Sequence, residues 1–260
     1  MVVMLLAIDA GNTNIVFALY EGDVRRAMWR CKTDSGRSSE EYLSFLLPLF
    51  DMADVDLVQV EDVIISSVVP DANFALEGFV RLCFGRRAIF IGRDVLDYGI
   101  DIRIDRPSEL GADRIVNTVA VLQHYKPPAI VVDFGTATTI DVVDDNGAFA
   151  GGIIAPGANL SLAALHMAAA KLPKISIGKP VKVIATNTVD AMQSGVYWGY
   201  VGLVEGIITR MIHEMGYTPF VIATGGLAPL FKEAIPAIDV IDEELTLKGL
   251  LSIYLRLKSH

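Results

Sequence analysis

The chain has 260 residues, with 22 Lys and Arg against 31 Asp and Glu, two cysteines and a 52% hydrophobic fraction. A net charge of −9 argues against a nucleic-acid binder, which needs a basic surface to neutralise phosphates. No apolar run reaches the ~18 residues of a membrane span, and two lone thiols, Cys31 and Cys83, fit a reducing cytoplasm better than a disulfide framework.

The length allows one large domain or two modest lobes. The apolar fraction exceeds the ~45–50% usual in soluble domains, which hints at buried surface beyond one monomer core. The run Met1–Ile8 lacks a basic region and meets Asp9 at once, so no signal peptide is expected.

In chain order, Val2–Ile8, Asn14–Tyr20 and Val24–Cys31 read as strands joined by short turns, hence antiparallel. Ser38 and Glu41 form a capping-box pattern ahead of the apolar positions Tyr42, Leu43, Phe45, Leu46 and Leu49, predicting a helix with Pro48 near its end. Val63–Val68 reads as a strand closed by Pro70, Asn73–Cys83 as a helix, Ala88–Ile91 as a strand and Gly111–Tyr125 as a helix. After Lys126-Pro127-Pro128 the pattern restarts, with strands at Ala129–Asp133, Ala137–Val143 and Ala148–Ile154. Helices follow at Leu160–Lys171 and Val189–Met215, then a strand at Phe220–Thr224, a short helix at Pro229–Ala234, a strand fragment at Val240–Ile241 and an amphipathic helix at Leu245–Lys258.

The restart is the main organisational signal. Ile8-Asp9-Ala10-Gly11-Asn12-Thr13 is echoed by Val132-Asp133-Phe134-Gly135-Thr136-Ala137. Each has an apolar strand, an Asp, a Gly in a turn and a second strand. Two half-repeats predict two similar lobes, 1–125 and 126–260, with the tripeptide at 126–128 as the boundary.

A glycine in a strand-to-strand turn lets a ligand approach the backbone, and the turn amides can form an anion nest. Asp9 at the strand end can orient a Mg²⁺-bound water or the ion itself. Taken alone the same residues also fit an ordinary hairpin; the second copy favours a nucleotide held by one hairpin from each lobe. Thr224-Gly225-Gly226 at a strand-to-helix junction suits an adenosine contact, though Gly-Gly is also a common turn. Asp113, in Gly111-Ala112-Asp113-Arg114 at a helix start, can accept a substrate proton, and Arg114 can pair with an anion. The plainer alternative is an N-terminal helix acid beside a solvated Arg. Gly151-Gly152-Ile153-Ile154-Ala155-Pro156-Gly157 reads as a bulge and turn or as a pocket wall.

Gly195, Gly199, Gly202 and Gly206 fall on one face of the long helix. Each costs about 0.8–1.0 kcal/mol relative to Ala, so close approach of another backbone is expected there, from the same lobe or a second subunit. The four histidines show no metal-ligand spacing, and no Walker loop, G-x-S-x-G, H-E-x-x-H or G-x-G-x-x-G occurs.

Taken in order, Asp9-x-Gly-Asn-Thr, Gly-Ala-Asp-Arg at 111–114, Asp133-x-Gly-Thr-Ala, Gly-Gly-x-Ile-x-Pro-Gly at 151–157, Asn187-Thr188 with Gln193-Ser194-Gly195, and Thr224-Gly-Gly resemble type III pantothenate kinase over essentially the whole chain. The resemblance implies an α/β protein of two similar lobes of the ribonuclease H-like, actin-like (ASKHA) type, with the active site in the cleft between them. It implies a cytoplasmic homodimer that uses ATP, Mg²⁺ and a monovalent cation (K⁺ or NH₄⁺) to phosphorylate pantothenate at its terminal hydroxyl, the first step of coenzyme A biosynthesis. Neither nucleic acid nor membrane is an expected partner.

Carried over residue by residue, Asp9, Ala10, Gly11, Asn12, Thr13, Asn14, Ile15 and Val16 match the first phosphate hairpin, and Thr136 the ATP-contacting threonine of the second. Gly111, Ala112, Asp113 and Arg114 match the pantothenate segment, with Asp113 as proton acceptor. Thr188 matches the threonine that closes the pantothenate site, and Asp133 the aspartate that holds the monovalent cation. Relatives commonly carry a pantothenate-contacting Tyr where Ile104 stands, and often Gly where Ala18 and Ala185 stand. The acidic balance further implies that phosphates are held by amides and bound cations, with little help from surface basic charge. Two alternatives are a sugar or acetate-type kinase of the same superfold and a nucleotide-binding regulatory protein; the presence of Asp9, Asp113 and Asp133 together favours a live enzyme.

Overall fold

The computed structural model describes residues 4–95, 97–169 and 172–259. These divide into two compact units: Met1–Ile100 with Asp105–His124 and Leu245–His260, and Asp101–Ile104 with Tyr125–Glu244.

The first unit is built on β1 (Met4–Ala10), β2 (Asn14–Glu21), β3 (Val24–Lys32), β4 (Val60–Ser67) and β5 (Ile89–Phe90), in sheet order β3-β2-β1-β4-β5. The first three form an antiparallel meander, and β4 and β5 join in parallel. β1 is buried along nearly its whole length. Its unbroken apolar run therefore suits a central strand covered on both faces. Leu6, Ile8, Phe17 and Leu19 pack with Tyr42, Leu46 and Phe50 of α1 (Ser39–Met52) and with Leu76, Phe79 and Val80 of α2 (Pro70–Phe84). Each such fully buried side chain contributes about 1.5–3 kcal/mol over its exposed state. The helices α3 (Ala112–His124) and α7 (Leu245–Lys258) pack on each other and on β1 and β4.

The second unit repeats the plan. Its strands are β6 (Ala129–Phe134), β7 (Ala137–Val143), β8 (Phe149–Pro156), β9 (Phe220–Thr224) and β10 (Val240–Ile241), in order β8-β7-β6-β9-β10. The meander and the two parallel joins recur strand for strand. Its helices are α4 (Ala158–Ala168), α5 (Thr188–Met215) and α6 (Ala228–Lys232). Tyr197, Tyr200, Val201, Val204 and Ile208 of α5 meet Val132, Ile140 and Phe231 in the core.

The capping box forms as the spacing predicts: Ser38 N–H donates to Glu41 Oε2 at 2.7 Å, and Glu41 N–H to Ser38 Oγ at 3.3 Å. α2 begins at Pro70, earlier than Asn73, because proline at the first helical position loses no intrahelical hydrogen bond. α4 begins at Ala158; of the predicted span Leu160–Lys171, residues 170–171 lie outside the described residues, as do 2–3 of the first predicted strand.

Two departures concern the lobes. Residues 245–260, assigned by chain order to the lobe 126–260, belong with the first unit. There Thr246 Oγ1 donates to Asn117 Oδ1 of α3 at 2.8 Å, and Tyr254 OH to Asp62 Oδ2 of β4 at 2.7 Å. Conversely, Asp101–Ile104 belongs with the second unit, where Phe149 N–H donates to Asp101 O and Arg103 N–H to Phe149 O, both at 2.8 Å. An amphipathic pattern specifies that a helix buries one face, and says nothing of which sheet receives it.

Candidate active site

In the first unit, β1 ends at Ala10 and β2 begins at Asn14, leaving a three-residue turn of Gly11, Asn12 and Thr13. Gly11 N–H donates to Asn14 O at 3.0 Å and closes the turn. Asn12, Thr13 and Asn14 are exposed, whereas Ile15 returns to the core. The predicted hairpin thus presents polar side chains from a rigid root.

A residue the sequence reasoning missed holds this turn from the side. Thr33, just past β3, donates its N–H to Thr13 O at 3.0 Å and its hydroxyl to Gly11 O at 2.5 Å. The signal was available: an antiparallel meander that pairs Asn14 with Lys32 must bring residue 33 opposite residue 13.

Asp9 lies in parallel register with Ser66 of β4. Loss of solvation, then the neighbouring Asp113 carboxylate, pushes Asp9 up to about 7, while Ser66 and Arg30 pull it down. Asp113 stands in the first turn of α3. Loss of solvation raises it too, against the Arg114 N–H, which donates to Asp113 Oδ1 at 2.8 Å, and against the Arg114 charge. Gly111 sits close against this carboxylate: a Cβ there would lie 2.6 Å from Asp113 Oδ1. The sequence-predicted Asp9 and Gly111–Arg114 are therefore brought together, as two mutually repelling carboxylates with raised proton affinity. Such a pair is an unfavourable arrangement in an empty protein, and one of the physical marks of a functional site.

The second unit has the matching hairpin, one residue shorter, with Gly135 and Thr136 between β6 and β7. Thr136 is exposed, and its carbonyl accepts from Gly157 N–H at 3.1 Å. A Cβ on Gly157 would lie 2.1 Å from that carbonyl, which explains the last glycine of the 151–157 segment. Asp133 pairs in register with Thr224, as Asp9 does with Ser66. Gly225 follows at φ +87°, where a Cβ would lie 2.6 Å from Asp133 Oδ1 and 2.8 Å from Phe134 O. So Asp133, Thr136, Gly157 and Thr224-Gly225 form one cluster. A carboxylate and a carbonyl therefore close in on Gly225, and both are hard oxygen donors of the kind a hard cation takes. Among the described residues, no group of three or more His, Cys, Asp or Glu side chains is placed to hold a metal ion. Thr188 opens α5, exposed, behind Asn187, whose side chain accepts from Asp190 N–H at 2.9 Å. Ile104 stands near Gly151, its Cγ2 3.9 Å from the position of a Cβ there.

For the glycine face of α5 the structure bears on one of the two expected neighbours, the one within the same lobe. At Gly195, Gly199 and Gly202 no described atom lies within 4 Å of a Cβ position, so among the described residues no backbone of the same chain fills that face.

The family model for type III pantothenate kinase matches residues 5–210. A type III pantothenate kinase of Paramagnetospirillum magneticum is 53% identical over 97% of both chains, and one of Brevibacillus brevis is 48% identical over 98% of this chain and 100% of its own. Among solved structures, a conserved Baf-family protein of Campylobacter jejuni aligns with TM-score 0.63 at 19% identity, covering 98% of this chain and 100% of that one. A ROK hexokinase of Thermus thermophilus aligns with TM-score 0.51 at 12% identity, covering 98% and 99%. The structural likenesses establish the two-lobed, actin-like α/β fold, and the sequence matches establish that the chain belongs to the type III pantothenate kinase family.

Proposed function

We propose that this chain transfers the γ-phosphoryl group of ATP to the terminal hydroxyl of pantothenate, giving 4′-phosphopantothenate and ADP, with Asp113 as the general base. The observation that carries the mechanism is the pairing of Asp113 with Asp9. A base for an alcohol needs a carboxylate with raised proton affinity and a fixed position. Asp113 has both, being desolvated and held by the Arg114 amide. It takes the hydroxyl proton as the oxygen attacks the γ-phosphorus and the bond to the ADP oxygen breaks. Phosphoryl transfer otherwise asks mainly for positioning and charge stabilisation.

The turn amides of residues 9–16 and Thr136 hold the phosphates, and Gly111–Arg114 with Thr188 hold pantothenate. The oxygens of Asp133 and Phe134 suit K⁺ or NH₄⁺, which would supply fixed positive charge near the second hairpin. Mg²⁺ arriving with the nucleotide would neutralise the charge on the phosphates and relieve the repulsion between Asp9 and Asp113. The enzyme acts in the cytoplasm as a homodimer. The open glycine face of α5 and the exposed Ile154, Met167, Val181 and Ile184 of the same unit support a second copy as the missing neighbour.

The test is mass-spectrometric detection of 4′-phosphopantothenate from ATP and pantothenate in K⁺ and in Na⁺ buffers. Product in K⁺ with markedly less in Na⁺ is expected. Absence of product removes the substrate assignment, and equal rates remove Asp133 from the cation role.

A further inference from the structure

The first hairpin has a charge problem. Residues 9–16 include no Lys or Arg, yet they include Asp9. A triphosphate laid on this turn would meet a carboxylate and no fixed cation. The sheet register supplies what the hairpin lacks. Directly paired residues of neighbouring strands share a face of the sheet. Asp9 pairs with Val16, and Val16 with Arg30, so Ser66, Asp9, Val16 and Arg30 form one row on one face. Two residues on, Lys32 pairs with Asn14 on that same face, nearer the turn.

Arg30 and Lys32 are both exposed. Neither takes part in an ion pair among the described residues, whereas Arg26, earlier on the same strand, is paired with Glu21. β3 and β1 lie two strand spacings, about 9.6 Å, apart, and the intervening β2 offers only the short apolar Val16 in the Arg30 row. The field of Arg30 reaches Asp9. A plainer role is available, since basic residues on an edge strand discourage pairing with another chain, and β3 is an edge strand. That role does not require two unpaired cations on the face that carries Asp9.

We propose that Arg30 and Lys32 are phosphate-binding residues of the first hairpin, reaching across β2 to the nucleotide triphosphate. The inference rests on the reading that this hairpin holds the phosphates. Arg30 suits paired hydrogen bonds to phosphate oxygens, and Lys32 acts as a point charge beside Asn14. The charge that the acidic composition conceals is local: two cations on one strand serve one anion.

The test compares ATP and adenosine binding to the full-length protein by calorimetry with Mg²⁺ present, in Arg30→Met, Lys32→Met and Asn12→Asp. All three sites are exposed, so folding is spared, and Asn12→Asp puts a carboxylate in the turn itself. Each variant is expected to weaken ATP binding about tenfold or more and to leave adenosine binding within about twofold. Loss in Asn12→Asp alone overturns the cation assignment and keeps the hairpin reading. No loss in any variant overturns both. Loss in the Met variants alone takes the triphosphate off the hairpin and overturns the proposal as stated. Equal loss for ATP and adenosine makes the effect structural and overturns it too.

Discussion

At the residue scale, two carboxylates crowd together in the first unit, and in the proposed mechanism their environments make opposite demands on stability and activity. Asp9 has its proton affinity raised to about 7 from an ordinary value of 3.8. Between those values the folded protein binds more protons at Asp9 than the unfolded chain does. The stability contributed by this group is therefore greatest below about pH 4 and is lost as pH rises towards 7. Asp9→Asn should raise the melting temperature of the ligand-free protein at pH 8, and flatten its dependence between pH 4 and 7, while abolishing turnover. A variant less stable than the parent at pH 8 would mean that the repulsion is already relieved in the empty protein. As the proposed base, Asp113 must be ionised to act, and its carboxyl is also raised. The acid limb of the pH–rate profile should then lie above the usual carboxylate range and disappear in Asp113→Asn together with the rate. Thr33 makes a third case. Thr33→Val keeps the shape and removes the hydroxyl that holds Gly11 O. A several-fold rise in KM for ATP, with KM for pantothenate unchanged and rescue by Thr33→Ser, is the expected pattern. An equal change in both KM values would mean a general loosening of the unit.

At the element scale, what the sequence revealed was what local physics controls. The capping box at Ser38 and the short turns after Ala10 and Phe134 act within a few residues. Each was therefore legible, or nearly so. The destination of α7 was not, because it depends on a glycine meeting a distant helix. A Cβ on Gly249 would lie 2.1 Å from Val116 O of α3. Bare Gly249 lets the two helices touch, and no periodicity in residues 245–258 announces the partner. Gly249→Ala should destabilise the protein by about 1–3 kcal/mol, despite a gain in helix propensity of about 0.8–1.0 kcal/mol. Chemical denaturation measures it, and an unchanged or higher midpoint would show that the helices separate at no cost. The glycines of α5 are the reverse case. Their spacing was visible in the sequence, but among the described residues nothing of the same chain covers Gly195, Gly199 or Gly202, which favours the proposed second copy over the lobe as the explanation. The candidate site was legible to a similar degree: the ordered motifs pointed to both hairpins and to Asp113 as the proposed base, whereas Thr33 and the proposed phosphate contacts Arg30 and Lys32 emerged only from strand register.

At the scale of the whole molecule, one plan is used twice. Asp9 opposite Ser66 and Asp133 opposite Thr224 occupy equivalent places at the ends of equivalent central strands. The duplication gives each unit a hairpin, a carboxylate at its root and a parallel strand beside it. The two have diverged in what surrounds the carboxylate. Asp9 faces a second acid, Asp113, whereas Asp133 lies beside a bare glycine and a carbonyl. In the proposed mechanism the first copy serves proton transfer and the second cation binding. The most direct measurement is pantothenate-dependent ADP release by the full-length protein with ATP, Mg²⁺ and K⁺, set beside Asp113→Asn with ATP binding followed in parallel. The account predicts ADP release that requires pantothenate, and a variant that binds ATP nearly normally yet turns over at less than about a hundredth of the parent rate. ADP release independent of pantothenate, or near-normal turnover by Asp113→Asn, would contradict it.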